Sequence, residues 1–295
     1  MSRRTLCALA LITGLMGAAS PATGYVRTLT SRGNPLSWHE TCVFLVPPMY
    51  PPFGLTQVDV LAAFQAAADA WTQVAGSYLR FELEPVAAGK VAEYLPSGKN
   101  ENVLVLLESG WPHDADAAAL TTLTYLASSN PATDGRLVDT DVEVNMEGFS
   151  FTTSGARDAH DLQNVMTHEL GHVIGLDHTC DDGLVIPTPR DHLGNTIPAC
   201  MTEAQINQLP PAVTEATMFN YAAPEEIDKR TLEADDEAGI AAIYPLAQDP
   251  GVCAPPDLHL DEECHCGSGG GPLHTLPCLL AFGWLLLVRS RRRSR

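Results

Sequence analysis

The chain has 295 residues, 36 of them acidic and 17 basic, and seven of the basic ones fall in its first four and last seven positions. Without those ends, the body carries 36 acidic against 10 basic residues, a net charge near −26. Such a surface excludes nucleic acid and anionic membrane as partners through repulsion alone, and the 45% hydrophobic content is that of an ordinary globular core.

In chain order, Arg3 and Arg4 precede an apolar run, Leu6 to Ala19, which reads as a secretory signal too short to span a bilayer stably. Ala22-Thr23-Gly24 supplies small residues at cleavage spacing, so residues 1–24 are assigned to the signal and the mature chain starts near Tyr25. An uncleaved anchor is the alternative. One domain, residues 25–247, fits the length that follows. Thr56, with Asp59 three residues later, predicts a capped helix with the apolar stripe Leu61, Phe64, Ala68, Trp71 and Ala75, ended by Gly76-Ser77. Leu79 to Leu83 alternates as a strand, and Val103 to Leu107 is the continuous apolar run of a buried central strand. Leu137 to Val144 alternates, placing Asp139, Asp141 and Glu143 on a face read as solvated. As an edge strand it could pair with an extended peptide. His113, Asp114 and Asp116 read as a solvated loop.

The next segment carries the chemistry. Asp161 caps a helix on which His168 and His172, four apart, project from one face and can share a metal. A helix cannot deliver a third ligand ten residues after the first. Gly175 supplies the break, because glycine tolerates a left-handed backbone, and the reversed chain can bring His178 to the same ion. Three imidazoles and one open position describe a catalytic Zn2+, whereas structural zinc sites are closed by a fourth protein ligand. Glu169, beside the first ligand, is placed to act as general base toward water.

Six cysteines remain outside the two ends, and an exported chain favours disulfides. Cys180 and Cys200 bracket a loop of about 20 residues, and a bond between them would stabilise the fold by about 3 kcal/mol in the chain-entropy model. Cys42 and Cys253 are one further pairing among several. Residues 248–272, rich in Pro and Gly and containing Cys264-His265-Cys266, read as a linker. Residues 273–295 are a 16-residue, largely apolar run, Leu273 to Val288, closed by five arginines.

The sequence from His168 to His178, H-E-x-x-H-x-x-G-x-x-H, resembles the metzincin zinc endopeptidases. Thr217-Met218-Phe219-Asn220-Tyr221 resembles their methionine turn, with Met218 implied to pack beneath the histidines. Arg230 to Tyr244 resembles the closing helix of matrixins, which supports that turn, and Asp235 and Asp236 belong to it as structural residues. Val58 to Val74 resembles their first helix, and Val138 to Asn145 their substrate-side edge strand. The resemblance implies an α+β fold of the metzincin type, a twisted mixed sheet with one antiparallel edge strand, an active-site helix and a C-terminal helix. It also implies a zinc-dependent endopeptidase acting on protein or peptide substrates as a monomer, with the Cys180–Cys200 loop walling the specificity pocket. Tyr221 lies three residues after the methionine and reads as a packing residue. No cysteine-switch motif is found, and calcium stays open. The order Cys-Gly-apolar-Arg at the C-terminus resembles the myxobacterial sorting tails called MYXO-CTERM, implying removal and surface attachment or release. A permanent single-pass anchor is the competing account, and for the whole chain a zinc-containing envelope binding protein without turnover is the alternative.

Overall fold

A computed structural model describes residues 24–52, 54–96, 99–183, 188–256 and 279–287. Residues 1–23 of the expected signal, the Cys264-His265-Cys266 motif, the glycine stretch and the terminal arginines lie outside the described residues.

The elements run β1 (Val26–Arg27), β2 (Cys42–Val46), α1 (Gln57–Thr72), β3 (Arg80–Leu83), β4 (Asn102–Leu107), β5 (Ala117–Leu126) and β6 (Leu137–Asn145). Then come β7 (Phe151–Thr152), β8 (His160–Asp161), α2 (Leu162–Val173), β9 (Leu176–Asp177), the single turn α3 (Pro211–Thr214), α4 (Ala234–Ile243) and β10 (Leu279–Leu287). The main sheet has the order β10-β5-β6-β4-β2-β3. Strands β6, β4, β2 and β3 are parallel, while β5 runs antiparallel to β6 and β10 antiparallel to β5. This is a mixed α+β architecture built around a mixed sheet.

The sheet corrects one expectation. Leu137–Asn145 is an interior strand between β4 and β5, and the antiparallel strand is Ala117–Leu126, which the sequence pattern did not reveal. Asp139 and Asp141 are correspondingly buried, each 2% exposed, rather than solvated. The reason is the interior position. The carboxylate of Asp141 accepts the backbone N–H groups of Val103 and Glu93, and both carboxyls are held above the usual carboxylate range, first by burial.

Helix α1 begins as the cap predicts, with the Thr56 hydroxyl accepting from the Asp59 N–H at 3.2 Å. It buries Val60, Phe64, Ala67, Ala68 and Trp71 and packs against α2. Three large buried aromatics then donate to carbonyls of the α2 segment. Trp71 Nε1 reaches Thr167 O at 2.8 Å, Trp38 Nε1 reaches Val173 O at 2.8 Å, and the Tyr244 hydroxyl reaches Ile174 O at 2.9 Å. The last two satisfy carbonyls that a helix C-terminus leaves without partners. The core is thereby clamped to the helix that carries the histidines.

Among the described residues, two disulfides form, Cys180–Cys200 and Cys42–Cys253. The second fastens the segment after α4 to β2, where Thr41 also donates its N–H to Val252 O and its hydroxyl to Asp249. Among the described residues, no helix is long and apolar enough to cross a membrane.

Candidate metal centre

Asp161 fixes the start of α2. Its Oδ1 accepts from Asn164 N at 3.0 Å, and the same carboxylate holds the Arg230 guanidinium, with Nε at 2.8 Å. The helix runs to Val173, and Gly175 then takes φ = +89°, with its N–H bonded to His172 O at 2.8 Å. That left-handed residue turns the chain into β9, which pairs with β1, and His178 follows at once.

His168, Glu169 and His172 are 0% exposed and His178 is 1% exposed. The Nε2 of His172 lies 3.1 Å from Nε2 of His168 and 3.2 Å from Nε2 of His178. The opposite ring nitrogens are engaged elsewhere. His168 Nδ1 donates to Thr217 O at 2.7 Å, His172 Nδ1 donates to Leu176 O at 2.9 Å, and His178 Nδ1 stands 3.2 Å from Asp182 Oδ2. Carbonyl and carboxylate partners fix the tautomer and leave each Nε2 with its lone pair inward. Lone pairs facing one another in a dry interior repel unless a cation lies between them. Ligand bonds of about 2.05 Å at tetrahedral angles place neighbouring nitrogens about 3.3 Å apart, so the observed spacing fits zinc. Burial, followed by the neighbouring imidazoles, holds His168 and His172 well below the usual histidine range, in the neutral form a metal requires. Among the described residues, these three are the one group of three or more His, Cys, Asp or Glu placed to share an ion, and no second cluster of that kind supports the calcium that the sequence left open.

Glu169 points one carboxylate oxygen at β5, where the Thr121 hydroxyl donates to Oε2 at 2.6 Å. Its Oε1 is buried and has no hydrogen-bond partner among the described residues. A buried carboxylate oxygen without a partner, on the residue next to His168, is suited to hold a water. Burial raises this carboxyl to about 8, opposed by the Thr121 hydrogen bond. A dication nearby would favour the charged form again.

Met218 is 2% exposed and packs under the helix, so close that a methyl group on Gly171 would sit 2.2 Å from its sulfur. Asp236, on α4, accepts the Thr217 N–H at 2.9 Å, and the Thr217 carbonyl in turn holds His168. The closing helix thus orients a metal-site histidine through one intervening residue, Thr217. Tyr221 packs against a small second core of Cys180, Leu209, Val213 and Phe219. The Cys180–Cys200 loop is braced by paired backbone bonds between Asp181 and its partners Pro198 and Cys200. His113 is engaged by Glu143 at 2.8 Å while Asp114 and Asp116 are exposed, as a surface loop requires.

Of the residues named from the sequence, the fold brings His168, His172 and His178 together, sets Met218 against Gly171 of the same helix, and hydrogen-bonds Glu169 to Thr121. Sequence reasoning missed Thr121, Asp182 and Thr217. Asp182 has a local signal, four residues after His178. Thr121 has none, because its role depends on which strand lies over α2.

A comparison with protein families matches the matrixin family model to residues 46–194, about half of the chain and inclusive of the whole histidine motif. A search of curated proteins gave no match. The geometry and the matched segment agree, and the chain belongs to the matrixin family of zinc-dependent metallopeptidases.

Proposed function

We propose that this chain is an exported, monomeric endopeptidase that hydrolyses protein substrates at the cell surface or outside the cell. His168, His172 and His178 hold one Zn2+, and Glu169 is its general base. The carrying observation is the convergence of three Nε2 atoms, together with a buried oxygen of Glu169, the residue next to His168 in the chain, that has no hydrogen-bond partner among the described residues. Zinc, when bound there, supplies Lewis-acid polarisation of the scissile carbonyl and lowers the pKa of water. Glu169, steadied through Oε2 by Thr121, takes a proton from the attacking water on its other oxygen and delivers it to the leaving amine. An extended substrate adds antiparallel to β5, whose Thr121 touches the base, and the disulfide-braced 180–200 loop walls one side of the specificity pocket.

The test uses denatured protein as substrate. Wild type is expected to cleave it in a chelator-sensitive manner, and Glu169→Gln to lose about 10²- to 10⁴-fold in kcat while retaining about one zinc per chain. Absence of cleavage by zinc-loaded protein, both as the whole chain and after removal of residues 257–295, would refute the peptidase reading. A His178→Ala protein with undiminished zinc affinity would refute the three-histidine site.

A further inference from the structure

The C-terminal apolar segment occupies an unexpected place. Leu279–Leu287 forms β10, antiparallel along nearly the whole of β5, with Leu279 opposite Leu126 and Leu287 opposite Ala117. This is the edge that an extended substrate would need, and it is filled by the chain itself. The register carries the argument further. Trp284 lies opposite Thr121, and Thr121 is the residue whose hydroxyl holds Glu169. The tail therefore passes level with the general base.

We propose that Leu279–Leu287 is an internal pseudosubstrate that pairs with β5 and keeps the enzyme latent until the tail is displaced or removed. The inference rests on the peptidase reading. Reach is no obstacle, since 22 residues, 257–278, separate Pro256 from Leu279, and a chain of that length spans up to about 70 Å. A tethered strand also competes at an effective concentration on the order of millimolar, above what most free substrates attain. Nine main-chain positions on the edge provide affinity without requiring side-chain specificity. The arrangement supplies a restraint in a chain that has no cysteine-switch motif.

The test compares the full chain with a Phe282→Pro, Gly283→Pro double variant. In an antiparallel pair, alternate residues direct their N–H groups to the partner strand, so two adjacent prolines must remove one ladder bond. Two readouts are taken, cleavage of a quenched peptide and hydrogen exchange of the Ala117–Leu126 amides. The variant is expected to show at least a tenfold higher kcat/KM and faster exchange along β5. A synthetic Leu279–Leu287 peptide flanked by lysines should restore inhibition by raising KM with kcat unchanged. Equal, measurable activity in both proteins would overturn the pseudosubstrate while leaving the peptidase intact. Activity in neither, with zinc bound, would overturn both. Self-cleavage within residues 279–287 would mark the segment as a substrate and overturn latency.

Discussion

Gly175→Ala tests how the third histidine is delivered. Gly175 sits at φ = +89°, and a Cβ there would lie 2.5 Å from the carbonyl oxygen of Leu36. That carbonyl cannot retreat easily. Leu36 is fully buried, its oxygen accepts from the Arg27 guanidinium, and its N–H is tied to Thr28 O at 2.9 Å. The Gly175 carbonyl is itself bonded to Thr28 N at 3.0 Å, so the two segments are locked together. The left-handed conformation costs a side chain about 1–2 kcal/mol, and steric overlap in a packed interior costs about 1–3 kcal/mol more. A total of about 4 kcal/mol corresponds to a fall in Tm of about 8–16 °C for a domain of this size. Gly194→Ala is the control, because Gly194 has φ = +84° and nothing within 4 Å of the added carbon. It should show the conformational cost alone, a few degrees. Thermal melts in zinc buffer give the first number, and competition with a colorimetric chelator gives the second, with zinc affinity of Gly175→Ala expected to drop at least tenfold. Equal melting of the two variants, with zinc affinity unchanged, would refute the view that this turn positions His178.

Thr121→Val removes the hydrogen bond to the Glu169 carboxyl and is expected to lower kcat about tenfold without loss of zinc, measured by peptide turnover and metal analysis. Breaking Cys42–Cys253, which spans 211 residues, should cost about 5 kcal/mol, and breaking Cys180–Cys200, which spans 20, about 3 kcal/mol. Urea titration of the two double-alanine variants checks that order, and the reverse ranking would count against the entropic account. His160 is buried between Phe149 and Phe151, and burial lowers its pKa to about 4 from 6.5. A depressed folded pKa means that the stability contribution is whole above pH 6.5 and is lost as the pH falls toward 4. The fall from 6.5 to about 4 is worth about 3 kcal/mol. His160→Phe should therefore flatten the acid side of the stability–pH curve, and parallel curves for variant and wild type would contradict this.

Much of the site was legible because its information is local. The four-residue spacing of His168 and His172, the Asp161 cap and the reversal at Gly175 depend on neighbours within one or two turns. Helix α1 was readable for the same reason, although its buried stripe centres on Val60, Phe64 and Ala67 rather than on Leu61 and Ala75. Strand order was not readable. Ala117–Leu126 has neither the alternation of a half-exposed strand nor a uniform β-branched run, so the strand that reaches Glu169 escaped notice. Alternation places Asp139 and Asp141 on a solvated face, yet they are buried, because alternation alone does not reveal what covers the second face of a sheet. Thr217 and Thr121 lie 49 and 48 residues from their partners, and no periodicity reports such contacts. Leu273–Val288 was read from composition as a sorting or anchoring run, a reading silent on the pairing of its middle part with β5.

The indole donors on α2 give this chain a built-in optical gauge. Trp71 is bonded to the peptide that precedes His168, and Trp38 to the carbonyl of Val173, the residue after His172. Both rings are sealed from water, so any relaxation of that helix would alter their emission. Loading and stripping of the cation could then be followed by fluorescence on the native protein, with no label attached.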